Sequence, residues 1–359
     1  MRVLHLNTEK TWRGGERQTL ITALEMHQRG FATAIGCRRS SPLAEAAGRA
    51  GVPVVPLAAN ALGALLGIRR AVRGYDLVHA HSGKAHSLAA LAMRGGRQPL
   101  VVSRRVDFVP EPTAFNRFKY RRANRVVCVS RCIAALLREW GIPAEQLEVI
   151  YEAVPGDTYA SRAEARGELL RHIALPPDSV WVGNIAALVP HKDHATLLRA
   201  ARAVVDERPE VGFVIVGEGE LRDDLLRLRA ELRLAGRVFF TGFLPQAQRL
   251  LSAFDLFAMS SCMEGLGTIV LDAGMAGVPV VATAAGGLPE LVLHEQTGLL
   301  APVGDGPALA RALLRLLADP GAAQRYATAS RVRLRQEFSV SQMVDHHVQL
   351  YRQLLGASA

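Results

Sequence analysis

Short runs rich in Val, Ile and Leu alternate with segments of helical spacing, and the alternation occurs twice along the chain. Repeated strand–helix–strand units fold most readily as parallel βαβ crossovers, so each half is expected to form a mostly parallel, doubly wound sheet. In the first half strands are expected at 3–7, 31–37, 52–57, 76–81, 99–105, 125–130 and 147–154, with helices at 16–29, 41–50, 61–73, 85–94 and 131–140. A charged connector over 157–177 follows. In the second half strands are expected at 180–186, 211–217, 237–243, 254–259, 278–282 and 298–305, and helices at 194–207, 221–234, 269–276 and 307–318. Asp319-Pro320-Gly321 reads as a breaker, and the tail from Gln324 to near Leu355 as helical.

A chain of 359 residues exceeds most single cores, so two domains are expected. Hydrophobic residues make up 49% and charged residues 21%, a globular balance. No run approaches the length of a membrane span, and Met1-Arg2-Val3-Leu4-His5-Leu6 enters a strand without a signal-peptide core, so a cytoplasmic protein is expected. Cys37, Cys128, Cys132 and Cys262 lack metal-ligand spacing and read as buried reduced thiols. The net charge of +10 rests on Arg, because Lys occurs only at 10, 84, 119 and 192. Such charge suits an anionic surface or substrate, but no nucleic-acid module is present.

The stretch 254–287, FDLFAMSSCMEGLGTIVLDAGMAGVPVVATAAGG, reads as strand, loop, helix and strand. Gly265 and Gly267 let the backbone approach a ligand, and the following helix directs its free amides at the loop, which favours a phosphate or pyrophosphate. Glu264 stands before that site and Asp272 eight positions on. A carboxylate can accept from both hydroxyls of a vicinal diol, so the pattern suits a nucleotide-sugar.

These residues resemble the donor-site signature of family-4 retaining glycosyltransferases of GT-B fold, an E-x7-E pattern followed by a helix and a P-V strand, with Asp272 where the family has its second Glu. The resemblance covers nearly the whole chain. It implies two Rossmann-like doubly wound domains facing a cleft, with a C-terminal helix crossing back to the first. The expected limits are 1–160 for the acceptor side, 161–335 for the donor domain and 336–359 for the returning helix. It also implies a nucleotide diphosphate sugar as co-substrate, no cofactor and no metal.

By the same resemblance, Lys192 in AALVPHKDH matches the pyrophosphate-binding Lys of an R-x-x-P-x-K stretch, with Ala187 in place of the usual Arg. Gly265, Leu266, Gly267 and Thr268 would meet the pyrophosphate, Glu264 the transferred sugar and Asp272 the ribose. Glu218 and Arg222 in VGEGELRDDL are candidates near the nucleoside, and Phe243 and Leu244 in TGFLP near the base. Gly14-Gly15 matches a glycine pair that faces the donor phosphates. His191 and His194 read as loop residues, and Gly286, Gly287 and Glu290 as a structural helix start.

In the first half His79 and His81 end a strand in LVHAHSGKAH, and alternation puts both on one face, so at least one is expected to be packed. His81 is the candidate active-site group, with Ser82 and Lys84 extending its loop. Arg104-Arg105 stand where many relatives have a His, and Arg105 is the second candidate. FNRFKYRR at 115–122 interleaves basic and aromatic residues, which suits an anionic membrane surface on the inner face or a charged acceptor, or equally a solvated helix face with its aromatics tucked inward.

The expected activity is transfer of a sugar to an acceptor hydroxyl with retention, in cell-envelope or lipid-linked saccharide synthesis. The acceptor is a saccharide, a lipid-linked saccharide or a small molecule. Alternatives are a non-catalytic nucleotide-sugar-binding subunit and a GT-B nucleotide-sugar epimerase.

Overall fold

A computed structural model describes residues 1–156, 159–176 and 178–356. The chain divides into two compact units, Met1–Ala153 joined by the chain from Phe338 onward, and Val154–Glu337.

The first unit is a seven-stranded parallel sheet. Its strands are β1 (Arg2–Leu6), β2 (Ala32–Arg38), β3 (Val54–Leu57), β4 (Leu77–Ala80), β5 (Leu100–Arg104), β6 (Arg125–Cys128) and β7 (Leu147–Val149). Their order is β3-β2-β1-β4-β5-β6-β7. The strand order reverses between β1 and β4, which are parallel and where His5 pairs in register with His79. Such a switch point opens a crevice at the carboxyl ends of the strands. Val3, Leu77, Val101 and Val127 pack against Met343, Val344, Val348 and Tyr351 of the terminal helix Val340–Leu354. The last helix therefore completes the core of the first unit.

The second unit has β8 (Val180–Ile185), β9 (Val211–Val216), β10 (Val238–Gly242), β11 (Leu256–Met259), β12 (Val280–Thr283) and β13 (Leu299–Ala301), in the order β10-β9-β8-β11-β12-β13. All of these pairings are parallel. Val182, Phe213, Ile215, Leu256 and Val281 form its core with Leu198, Ala201, Leu309 and Leu313 from helices His194–Glu207 and Gly306–Ala318. Strands buried on both faces read as continuous apolar runs, which made them visible in the sequence.

Several local expectations are corrected. Asp319 does end helix Gly306–Ala318, as the breaker reading expects, but the next helix, Pro320–Glu337, opens ahead of the expected Gln324, because Pro is tolerated at a first helical position and the Asp319 carboxylate accepts from Ala322 N at 2.8 Å. The tail breaks again after Glu337, where Phe338 is buried against Tyr151 and Ser339 caps the last helix by accepting from Gln342 N at 3.2 Å. The expected connector starts at Asp157 and ends at Pro177, both outside the described residues. Between them helix Arg162–Leu169 is fastened to the second unit by Arg166, which pairs with Asp255 at 2.9 Å and stacks 4.6 Å from the Trp181 ring. Cys37 and Cys128 are buried, but Cys132 is half-buried and Cys262 exposed, so only two of the four thiols are buried as expected.

The stretch 115–122 lies in helix Ala114–Arg122. Its Tyr120 turns inward against His86 and Trp140, and Arg122 is held by the carbonyls of Met93 and Gln98, while Phe115 stays exposed. No helix among the described residues is long and apolar enough to cross a membrane.

Candidate functional site

In the second unit the carboxyl ends of β8, β9 and β10 are laced together by their backbones. Ala186 N donates to Val216 O at 3.0 Å, Leu188 N to Glu218 O at 2.9 Å and Gly217 N to Gly242 O at 2.9 Å. A Cβ on Gly217, which has φ +152°, would stand 1.9 Å from Ala186 O. The VGEGE stretch therefore needs glycine to bring the strand ends together. Glu218 pairs with Arg222 at 2.6 Å on this exposed rim, and Ala187 is exposed beside it. Phe243 is 61% exposed, whereas Leu244 is nearly buried.

Lys192 closes the short turn Pro190–Lys192 after β8. The next residue, Asp193, is left-handed, and its carboxylate caps helix His194–Glu207 by accepting from Thr196 N at 3.2 Å. His194 is not a loop residue. It is buried at the start of that helix, with Nε2 3.1 Å from Asn184 Oδ1, and burial pushes its pKa down to about 4.

This turn directs the Lys192 ammonium onto the Glu264 carboxylate, and the two form an ion pair. Glu264 also accepts from Ser261 Oγ at 3.1 Å, and its carbonyl accepts from Gly287 N at 2.9 Å. Ser260 Oγ donates to Lys192 O at 2.9 Å, which ties the end of β11 to the lysine turn. The side chains of Lys192 and Glu264 are only 16% and 13% exposed. A pair so placed is screened less than a surface pair, and loss of either partner leaves a poorly solvated charge.

Helix Thr268–Met275 starts next to Glu264 with Gly267 at φ +93° as its N-cap, and no side chain caps it. A Cβ on Gly267 would approach Leu288 Cδ2 to 2.6 Å. Gly265 and Leu266 are buried and Thr268 is half-buried in the same turn. An uncapped helix start beside a cation can receive oxyanions through backbone amides and the ammonium together. Asp272 is on this helix but fully buried, and its Oδ1 lies 3.4 Å from Tyr159 OH. Glu290 belongs to the short helix Leu288–Leu291, whose carbonyls at Glu290 and Leu291 accept from Arg333.

In the first unit the carboxyl ends of β1 and β4 carry a buried histidine group. His5 and His79 have no exposed surface, and His81 has 3%. Arg105 Nη2 lies 3.1 Å from His81 Nδ1, and Arg105 Nη1 donates to His81 O at 2.6 Å. A guanidinium only donates, so His81 Nδ1 accepts and its proton sits on Nε2. Nε2 therefore donates to His5 Nδ1, 2.9 Å away, leaving the His5 proton on a buried Nε2 that has no partner among the described residues. His79 spans Tyr351 OH at 2.5 Å and Ser103 Oγ at 2.8 Å. Burial is the main cause that pushes His5 to about 3 and His347 to about 4, and that holds His79 and His81 well below their ordinary value.

Both expected histidines are thus packed, which alters the reading of His81. Its ring nitrogens are both engaged, so it offers no free base and acts as a positioning residue for Arg105. Arg105 also pairs with Glu152 at 2.5 Å. Gly15 lies against the Arg105 stem, where an added Cβ would be 3.6 Å from Cδ. Gly14 and Gly15 open helix Gly14–Gln28, whose start is fixed by Glu16 accepting from Arg13 N at 3.0 Å and from Asn7 Nδ2 at 3.0 Å. Arg104 turns away to the carbonyls of Val106 and Phe108.

Sequence reasoning missed Ser261, Tyr159, Glu152, Asn7, Glu16 and Tyr351. Glu16 could have been found as an acid in a first helical turn. Glu152 and Tyr351 carry no local signal, because their partners are distant in sequence.

A family model described as Glycosyltransferase Family 4 matches residues 12–157, and one described as Glycosyl transferases group 1 matches residues 176–319. A 2-deoxystreptamine glucosyltransferase of Streptomyces kanamyceticus is 30% identical, over 70% of this chain and 66% of its own. The lipopolysaccharide core biosynthesis glycosyltransferase LpsD of Rhizobium meliloti is 32% identical, over 65% of this chain and 64% of its own. The chain thus spans just under two thirds of the length of these two relatives. A GDP-mannose-dependent alpha-(1-6)-phosphatidylinositol monomannoside mannosyltransferase of Mycolicibacterium smegmatis is 32% identical, over 74% of this chain and 73% of its own. Among solved structures, HepE of Anabaena in complex with UDP superposes with a TM-score of 0.87 at 24% identity, over 98% of this chain and all of the other.

Proposed function

Starting from a chain that belongs to the group 1, family-4 glycosyltransferases and has the GT-B fold, we propose that this protein moves a sugar from a nucleotide diphosphate sugar to an acceptor hydroxyl with retention and without a metal. The reading rests on one observation, the Lys192–Glu264 ion pair set against the uncapped start of helix Thr268–Met275. The amides of that helix, the Thr268 hydroxyl and the Lys192 ammonium take the diphosphate, and Glu264 turns to the hydroxyls of the transferred sugar. Glu218, Arg222, Phe243 and Leu244 line the nucleoside end, and Asp272 takes the ribose once Tyr159 releases it. The second unit binds the donor and the first holds the acceptor, with Arg105 as its cation.

In the chemical step the bond from the anomeric carbon to the diphosphate oxygen breaks, and the bond to the acceptor oxygen forms on the same face. The acceptor proton passes to the departing phosphate oxygen. Lys192 and the amides stabilise charge as it develops on the leaving group, where preorganised donors are most effective. The family relatives that act on lipopolysaccharide core and on a phosphatidylinositol mannoside support a cell-envelope or lipid-linked acceptor. On this reading the protein is cytoplasmic and rests peripherally on the inner face of the membrane.

Incubation of the full chain with labelled UDP-, GDP- and ADP-sugars tests the reading. Transfer, or slow donor hydrolysis, is expected with one of them and should vanish in Lys192→Ala and Glu264→Ala. Tight binding without turnover would make the protein a nucleotide-sugar binder, and free epimerised product an epimerase. Either outcome overturns the proposal.

A further inference from the structure

The basic and aromatic stretch 115–122 borders a cavity of about 610 Å³ in the first unit. Small-molecule sites usually enclose about 300–1,000 Å³, so the size is suitable. Arg117 and Arg121 of helix Ala114–Arg122 line it four residues apart, a spacing that sets them on one helix face. Arg125 at the start of β6, Trp140 at the end of helix Arg131–Glu139, and Glu145 and Gln146 ahead of β7 complete the wall.

The fold leaves these cations available. Arg117 and Arg121 are exposed, and neither makes a hydrogen bond or ion pair with a described residue. Arg125 gives an N–H to the Asn124 carbonyl at 3.0 Å and meets no carboxylate among the described residues. Their neighbour Arg122, by contrast, is held by the carbonyls of Met93 and Gln98. The opposite wall is firm. Trp140 is half-buried and braced by the Tyr120 ring, with 5.4 Å between centroids. Gln146 Nε2 donates to the carbonyls of Tyr120 and Ala123, which fastens the two sides of the cavity together.

The cavity is at the wrong end of the sheet to serve the reaction directly. Its residues Ala123–Arg125 enter β6 and Gly141–Gln146 enter β7, so it lies at the amino ends of these strands. Arg105 and Glu152 follow the carboxyl ends of β5 and β7. A four-residue strand such as β6 rises roughly 13 Å, too far for one sugar ring to bridge.

The lining makes three different demands on a ligand. Guanidinium forks match a phosphate or carboxylate in pairs. The indole of Trp140 offers an apolar face to a ring. Glu145 repels a second anionic group and can accept from paired hydroxyls. A bare anion leaves the indole uncovered, and a polyanion meets Glu145. A hydroxylated ring with a single anionic group satisfies all three.

We propose that this cavity is a second binding site, for a saccharide that carries one phosphate or carboxylate. Arg117, Arg121 and Arg125 take the anionic group, Trp140 the ring and Glu145 its hydroxyls. The site stands apart from the donor and acceptor residues named above, and its occupancy is read without turnover.

Calorimetric titration of the full chain with glucose 6-phosphate, glucuronate, glucose and inorganic phosphate tests the site. The two anionic saccharides are expected to bind, and glucose and phosphate to bind at least about tenfold more weakly. Arg117→Gln with Arg121→Gln should lower affinity for glucose 6-phosphate by about tenfold or more. Trp140→Leu should weaken glucose 6-phosphate and leave inorganic phosphate unchanged, and Lys192→Ala should leave both unchanged. Circular dichroism checks folding in each variant, and the two exposed arginines can be replaced without touching the core. No binding of either anionic saccharide at millimolar concentration overturns the proposal. Inorganic phosphate that binds as tightly as glucose 6-phosphate makes the cavity an anion site only and also overturns it. Binding that survives the arginine changes and disappears in Lys192→Ala assigns the ligand to the donor site, with the same consequence.

Discussion

The Lys192 ammonium and the Glu264 carboxylate lie 72 positions apart in sequence and form an ion pair between the turn after β8 and the loop after β11. The pair holds a cation and an acid at the start of a helix that no side chain caps. An entering diphosphate would compete with Glu264 for the ammonium and free the carboxylate for sugar hydroxyls.

Lys192→Ala is therefore expected to lower transfer by about a hundredfold or more, the usual loss when one donor to a developing oxyanion is removed. It should also abolish thermal stabilisation by nucleoside diphosphate. Glu264→Gln should spare diphosphate binding and lose turnover. If both variants bind and turn over like wild type, the pair has no role in the reaction.

Gly267→Ala should destabilise the protein by about 1–3 kcal/mol, because φ +93° is strained for alanine and the new Cβ would press on Leu288. Gly217→Ala should cost more, since its Cβ would meet the Ala186 carbonyl, which is backbone and cannot swing aside. Urea midpoints of the two variants measure this order.

The Arg105–Glu152 pair has side chains 15% and 9% exposed. Removing Arg105 alone takes the guanidinium away from a nearly buried Glu152 carboxylate, and Arg105→Ala should cost about 3–5 kcal/mol. Arg105→Met combined with Glu152→Leu should recover most of that stability. Recovery of stability without recovery of transfer would assign Arg105 to the reaction, while recovery of both would make it structural.

Acid should destabilise the fold in a defined window. Folded-state values of about 3 for His5 and His86 and about 4 for His194 and His347 lie below the ordinary value of 6.5. The unfolded chain then binds more protons, so stability is full above pH 6.5 and falls as pH drops toward 4 and 3. Each such group contributes about 1.4 kcal/mol per pH unit within its window. Buried Glu16, whose value is raised, opposes this weakly near its own range. Urea midpoints measured from pH 7.5 downward should fall steeply, and His5→Phe should flatten the slope.

Much of the frame was legible because it rests on local pattern. Buried parallel strands had to be continuous apolar runs, and Gly277, at φ +76°, had to end the helix that Gly267 begins. Glu264 and the glycines at 265 and 267 could be singled out because their chemistry is local to their own loop, whereas Lys192 was singled out by the family resemblance. The Asp319-Pro320 step was read correctly as a break, but the early start of the next helix was not legible, because Pro both ends and begins helices and the capping carboxylate fixes where the new one opens.

Two doubly wound sheets, the glycine-rich loop chemistry after β11 and the cationic balance of the chain follow from the order of the amino acids alone. Tertiary structure alone decided that Lys192 meets Glu264, that His81 is locked between Arg105 and His5, and that Asp272 is covered. The reason is physical. Helical and strand periodicity reports which face of an element is apolar, whereas burial and charge pairing depend on which distant element lies against that face.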